Sequence, residues 1–423
     1  MAVVYGDAQS PTFYRDFTQE FSLSGTGIGP DISFTRNSIG TYFDQNGVLQ
    51  TAQVNIPRFE WDPTTLQPKG LLIEEGRTNS IRNAQAGGST KGVIGSGGVM
   101  PTNWNTGAVS GISYEVIGTG TVSGFSYLDL KISGTNSSGS TVTPIFSFEA
   151  VSVIVASSGQ SWTGSVYIAL QSGSIAGASS FNIDVTERDS GGAFLASSST
   201  GFTPTSELTR IRHSRTFSNA STARTNHRVN FSVANGNSID LTLRIAAPQL
   251  EQGAFATSYI PTTNAAVTRG ADVAVVTPIS SFYNQAEGTL FAEFSRTTVA
   301  KQTYFFGFSD PTSGGAEQMY IETGGVSPST QRYQVFDGGS SQAVIGNYAS
   351  ATAGTIYKFA AGYAVDNFAV SQNGASVSTD TSGMLPTVTR MEIGTGQQSS
   401  GHIRKVGYWP RRLSNFQLQQ LTN

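Results

Sequence analysis

Along most of its length the chain alternates apolar and polar residues with a period near two, the signature of strands with one buried face. "DISFTR" and "GTYFD" near the start, "ISYEVIG" and "FSYLDLKIS" in the middle, and "TYFFGFSD", "RYQVFDG" and "RMEIGTG" near the end all read as short strands. Turn residues stand between them. Asn46-Gly47 in "DQNG" and Asn373-Gly374 in "SQNG" predict tight hairpins, because these residue types accept the positive φ such turns need. A helical pattern occurs once, at "LSNFQLQQLT", where Ser414 is placed to cap a short helix carrying Phe416, Leu418 and Leu421. The expected fold class is all-β, closed by one short C-terminal helix.

Breaks in the pattern predict the domain organisation. "AQAGGSTKGVIGSGGVM", residues 84–100, reads as a Gly/Ser-rich connection, and "SYIPTTNAAVTRGADV", residues 258–273, as an extended crossover. Three modules are expected: a small N-terminal β module at 1–88, an antiparallel jelly-roll sandwich at 89–268, and a second sandwich at 269–423. A chain of 423 residues has room for two to four domains of roughly 100–200 residues each.

Composition narrows the function classes. Charged residues make up 13% of the chain, about half the usual share, and the net charge is −3. Aromatic residues make up 10% and are spread evenly, which points to a folded chain with a hydroxyl-, amide- and glycine-rich surface. Scattered Lys and Arg do not provide the concentrated basic surface that nucleic acid requires. No run of about 18 apolar residues is present, so no membrane insertion is expected. The absence of cysteine rules out disulfides and thiolate metal sites.

Residues 69–83, "KGLLIEEGRTNSIRN", set Glu74 beside Glu75 after an apolar run. On a strand these side chains point to opposite faces, whereas paired-carboxylate glycosidase chemistry needs two groups facing each other at roughly 5–10 Å. Glu74, Glu75 and Arg77 are therefore read as structural or assembly contacts. Glu60 and Asp62 in "FEWD" would share a strand face roughly 7 Å apart. Asp62-Pro63-Thr64-Thr65 is instead read as a turn in which Asp62 takes backbone amides. His213, His227 and His402 sit in no catalytic or metal-ligating spacing. No strand–GxSxG–helix elbow and no phosphate-binding loop is present. No catalytic residue, metal ligand set or cofactor is expected, and the chain is read as a non-enzyme.

Sugar recognition needs flat aromatic rings beside short polar side chains. Trp104, Tyr114, Trp162 and Tyr167 are candidates in the middle module; Tyr304, Tyr320, Tyr333 and Tyr348 are candidates in the last. Asn103, Asn105, Gln318 and Asp337 are polar neighbours, and Trp409 reads as a packing residue.

Three stretches together resemble a family of tailed-phage virion proteins, the tail fibres and head spikes. "DISFTRNSIGTYFDQNGVLQTAQVNIPRFEWDP" with "KGLLIEEGRTN" is similar to an N-terminal module of that family. "RIAAPQLEQGAFATSYIPTTNAAVTRGAD" looks like the exit of a carbohydrate-binding-module-like jelly roll, and "GHIRKVGYWPRRLSNFQLQQLT" like the closing strand and helix of a concanavalin A-like, laminin-G-like sandwich. The resemblance implies a virion surface protein that is anchored to capsid or tail proteins by its N-terminal module. Its sandwiches would be displayed towards host-surface polysaccharide. It further implies a homo-oligomer, with trimers common in phage fibres, and leaves room for a structural Ca2+. The opening "MAVVYGDAQSPTF" has neither the basic nor the apolar region of a secretory signal, which fits synthesis in the host cytoplasm and release by lysis. Two other readings are open: a structural decoration protein that binds no sugar, and a polysaccharide depolymerase. Depolymerase spikes show long regular β-helix repeats, and no fixed-period repeat is found here.

Overall fold

The computed structural model describes residues 10–298, 302–323, 330–346, 351–395 and 400–423. The chain is all-β, with antiparallel sheets and one short helix, as the alternation predicts. Its strands form two compact units. One combines the chain up to Gly76 with the chain from Gly270 onwards; the other is Arg77–Arg269.

The discontinuous unit is a two-sheet sandwich. Its eight-stranded sheet runs in the order Ser378–Asp380, Phe368–Gln372, Ile356–Ala364, Glu287–Arg296, Ser400–Trp409, Pro68–Glu74, Phe59–Trp61, and Phe13–Asp16 also pairs with Ser400–Trp409. The seven-stranded sheet runs Ser33–Thr35, Val273–Val276, Arg390–Thr395, Tyr304–Ser309, Gln318–Thr323, Gln331–Asp337, Ser340–Ile345. Between them lies one core built from alternate residues of both sheets. Phe294 stacks on Phe305 at 3.6 Å between ring centroids, and Phe308 meets Tyr408 edge to face at 5.1 Å.

This arrangement corrects the expected N-terminal module at 1–88. Strands of three to seven residues such as Phe59–Trp61 and Pro68–Glu74 cannot bury a sheet face alone. They instead extend the sheet of the C-terminal sandwich through Ser400–Trp409. The boundaries therefore fall at 76/77 and 269/270, and the second unit is an insertion into the first. The stretch at 84–100 is not a free linker: Ala84, Ala86 and Met100 are buried, and Gly92–Val93 pairs with Ile112–Val122.

The inserted unit has two six-stranded sheets. The first runs Thr209–Thr216, Ser161–Ser174, Ser238–Gln252, Phe125–Thr135, Ile112–Val122, Gly92–Val93. The second runs Phe194–Gly201, Ser179–Arg188, Arg224–Ser232, Ile145–Ser147, Asn105–Thr106, and Ile154–Val155 pairs with Arg224–Ser232. The imidazole of His227 bridges the two, 3.2 Å from the carbonyl oxygens of both Asp184 and Ser165.

The hairpin and cap signals hold. Gly47 has φ 71°, and Asn373 and Gly374 have φ 47° and 73°. Asp44 accepts from the backbone amides of Asn46 and Val48 and so fixes the first hairpin. Ser414 caps helix Asn415–Thr422 in a capping box with Gln417. That helix lays Leu418 over Phe291, Ala360, Ala369 and Trp409 on the outer face of the eight-stranded sheet.

Candidate functional site

The seven-stranded sheet positions the candidate site. Met391, Ile393, Phe306, Phe308, Met319 and Ile321 face the core, so their alternates Arg390, Glu392, Ser309, Gln318 and Tyr320 face away from it. A register shift between Tyr304 and Phe306 lets Phe305 and Phe306 both stay buried and leaves Tyr304 on the outer side, half-buried. These residues line a groove of about 490 Å³, walled by Val273 and Val275 on one side and by the Asp310–Gly315 loop on the other. The volume falls within the roughly 300–1,000 Å³ of small-ligand sites.

One polar cluster lines the groove, and a second, outside its lining, holds Tyr304. In the first, Arg390 donates from Nε to Glu392 Oε1 at 2.6 Å and to Ser309 Oγ at 3.3 Å, while Ser309 donates to the same carboxylate oxygen at 2.7 Å. In the second, Glu322 accepts from Arg332 Nε at 2.8 Å and from Gln302 Nε2 at 3.0 Å, and Gln302 also reaches the Tyr304 hydroxyl at 3.2 Å. Burial pushes the Glu322 carboxyl up despite Arg332, and burial together with Glu322 pushes the Tyr304 phenol up to about 12. Tyr304 therefore stays a neutral hydroxyl at physiological pH. Its ring meets Tyr320 edge-on, with 4.7 Å between centroids. The floor beneath Tyr320 requires Gly307, where a Cβ would come 2.2 Å from the Met319 carbonyl oxygen and 2.4 Å from the Tyr320 ring.

Of the eight sugar-stacking candidates, Tyr304 and Tyr320 line this groove, and only Tyr304 of the pair is more than marginally exposed. Tyr333 is fully buried with its hydroxyl 3.2 Å from Met319 Sδ. Trp104 is buried edge-on against Phe148 with its Nε1 donating to the Asn83 carbonyl. Tyr114 is buried, as is Trp162, which donates to Gln160; Tyr167 packs on Phe125 at 4.3 Å. These five rings are core residues and cannot stack on a sugar, because a two-sheet sandwich fills its interior with the largest apolar side chains its strands supply. Tyr348 lies outside the described residues. Arg390 and Glu392 were not among the sequence candidates. Alternation in "RMEIG" places both opposite Met391 and Ile393, and that was the available signal.

The carboxylates weighed for catalysis have structural partners. Glu74 is buried against Arg58 at 2.8 Å, and Asp272 pairs with Arg58 and with Arg36. Glu75 is also buried. Arg77 lies over the Phe255 ring at 4.7 Å and donates to the Gln252 carbonyl. Glu60 is bonded to His402 Nε2 at 2.6 Å, and Asp62 accepts from the amides of Thr64 and Thr65, as the turn reading requires. His213 lies between the hydroxyls of Ser198 and Thr200. Among the described residues no group of three or more His, Asp or Glu side chains is placed to hold a metal ion.

No family model and no curated protein sequence matches the chain. Among solved structures it is similar to the CBM40 of the Ruminococcus gnavus IT-sialidase, at 12% identity and a TM-score of 0.30 over 34% of this chain and 86% of that one. It is similar to Trypanosoma rangeli sialidase at 13% identity and a TM-score of 0.28, over 36% of this chain and 25% of that one. It is also similar to the N-terminal CBM22-1-CBM22-2 tandem of Paenibacillus barcinonensis Xyn10C, at 8% identity and a TM-score of 0.24 over 77% of this chain and 98% of that one.

Proposed function

We propose that this chain is a non-enzymatic phage virion surface protein, a tail fibre or head spike, that binds host-surface glycans in the groove of its discontinuous sandwich. The groove carries the binding half of this reading. A half-buried tyrosine beside Gln318, Arg390, Glu392 and Ser309 offers an apolar ring for the flat side of a sugar and fixed donors and acceptors for its hydroxyls. Placement on the virion rests on the sequence stretches at 31–79 and 244–272, and so do attachment to capsid or tail proteins and assembly into a homo-oligomer. The non-enzymatic half is supported by Glu60, Asp62 and Glu74, each engaged in a bond that holds the fold.

The full chain is expected to bind host cells or a glycan array, and Tyr304→Ala and Gln318→Ala are expected to weaken that binding while the fold persists. Binding unchanged in both variants removes the groove from the reading. Release of oligosaccharide from host polysaccharide overturns the non-enzymatic assignment. Imaging of the virion decides between head and tail.

A further inference from the structure

The ionic make-up of the groove narrows its ligand. Among the described residues, the charged groups that line it are Asp310, Arg390 and Glu392, two carboxylates and one guanidinium. The guanidinium is paired within the groove: Arg390 bonds Glu392 through both Nε and a terminal nitrogen and Ser309 through Nε. Asp310 is held as an acceptor by the amide and hydroxyl of Thr312, which keep its carboxyl below the usual range and hence ionised. An acidic sugar would bring its carboxylate against two carboxylates, while the one guanidinium among the described lining residues is already paired with Glu392. A neutral sugar meets no such opposition, because its hydroxyls can donate to the carboxylates and accept from Gln318.

Resting on the groove being the glycan site, we infer that it selects neutral glycans and excludes those carrying sialic or uronic acid. The Arg390–Glu392 pair sets that preference.

The test is binding of the full chain to matched glycans, the same neutral core with and without a terminal sialic or uronic acid. Wild type is expected to bind the neutral members with little change when salt is raised to about 0.5 M, since no net charge pairing drives the contact. The acidic members should bind at least about tenfold more weakly. Glu392→Gln keeps the shape and the Ser309 contact but releases Arg390, so this variant should gain binding to the acidic members, and high salt should abolish the gain. Preferential wild-type binding of acidic glycans, lost in Arg390→Ala, overturns the neutral class and leaves the groove standing. Neutral binding that survives Tyr304→Ala shows the site lies elsewhere, and absence of binding to every glycan removes both the class and the site.

Discussion

The carboxylate of Glu74 lies 2.8 Å from the guanidinium of Arg58, and neither side chain reaches solvent in any quantity. Arg58 is shared with Asp272, whose other oxygen takes Arg36. Asp272 Oδ2 also accepts from the Glu74 amide at 2.8 Å. Four charges thus neutralise one another where the chain leaves the discontinuous sandwich and re-enters it.

Removing one partner strands a buried charge. Arg58→Ala is expected to destabilise the discontinuous unit by about 3–5 kcal/mol. Urea unfolding followed by tryptophan fluorescence checks this, and a loss under about 1 kcal/mol would contradict the burial argument.

The inserted unit should lose stability in acid through His227. Burial lowers its pKa from 6.5 to about 4, outweighing the two carbonyl oxygens that favour the proton. Between those values the unfolded chain binds more protons than the folded one, so stability is full above pH 6.5 and falls as pH drops towards 4. The loss reaches at most about 3 kcal/mol. Melting curves at pH 7 and pH 5 should differ for wild type, and His227→Gln should narrow the difference.

Gly307→Ala is expected to distort the groove floor and cost about 1–3 kcal/mol, because its Cβ would meet Met319 and Tyr320 backbone and ring atoms. Thermal unfolding together with glycan binding measures both effects. A variant with unchanged melting temperature and unchanged binding refutes the requirement.

Ser414→Ala removes the cap of the C-terminal helix and should weaken it by about 1 kcal/mol. Hydrogen exchange should rise at Gln417 and along the helix, with strands on the opposite sheet unaffected.

Local signals in the sequence were readable wherever a few neighbouring residues decide the outcome. The Asn373-Gly374 turn, the Ser414 cap and the Asp62 turn all follow from side chains within a few positions of one another. The discontinuous unit was not readable in that way. Nothing near Leu71 or Leu72 records that they pair with Ile403 and His402, more than three hundred residues away in the chain. The candidate site was half legible for a related reason. Tyr304 and Tyr320 stood out as aromatics, but burial of Trp104, Trp162 and Tyr333 depends on which sheet lies across from them. The ion pairs that tie Asp272 to Arg58 and Arg36 likewise join segments more than two hundred residues apart.

The insertion between Gly76 and Gly270 has a genetic consequence. The Asp272 amide donates to the Glu74 carbonyl at 2.9 Å, so the outgoing and returning chain lie side by side in the sandwich. Within the insert, Arg77–Asn79 pairs antiparallel with Val267–Arg269 in the same way. Any folded cassette whose two ends emerge as neighbours can occupy that place without reordering the host sheets. A lineage carrying this sandwich can therefore trade the inserted unit by recombination while keeping the groove, the ionic knot and the terminal helix intact.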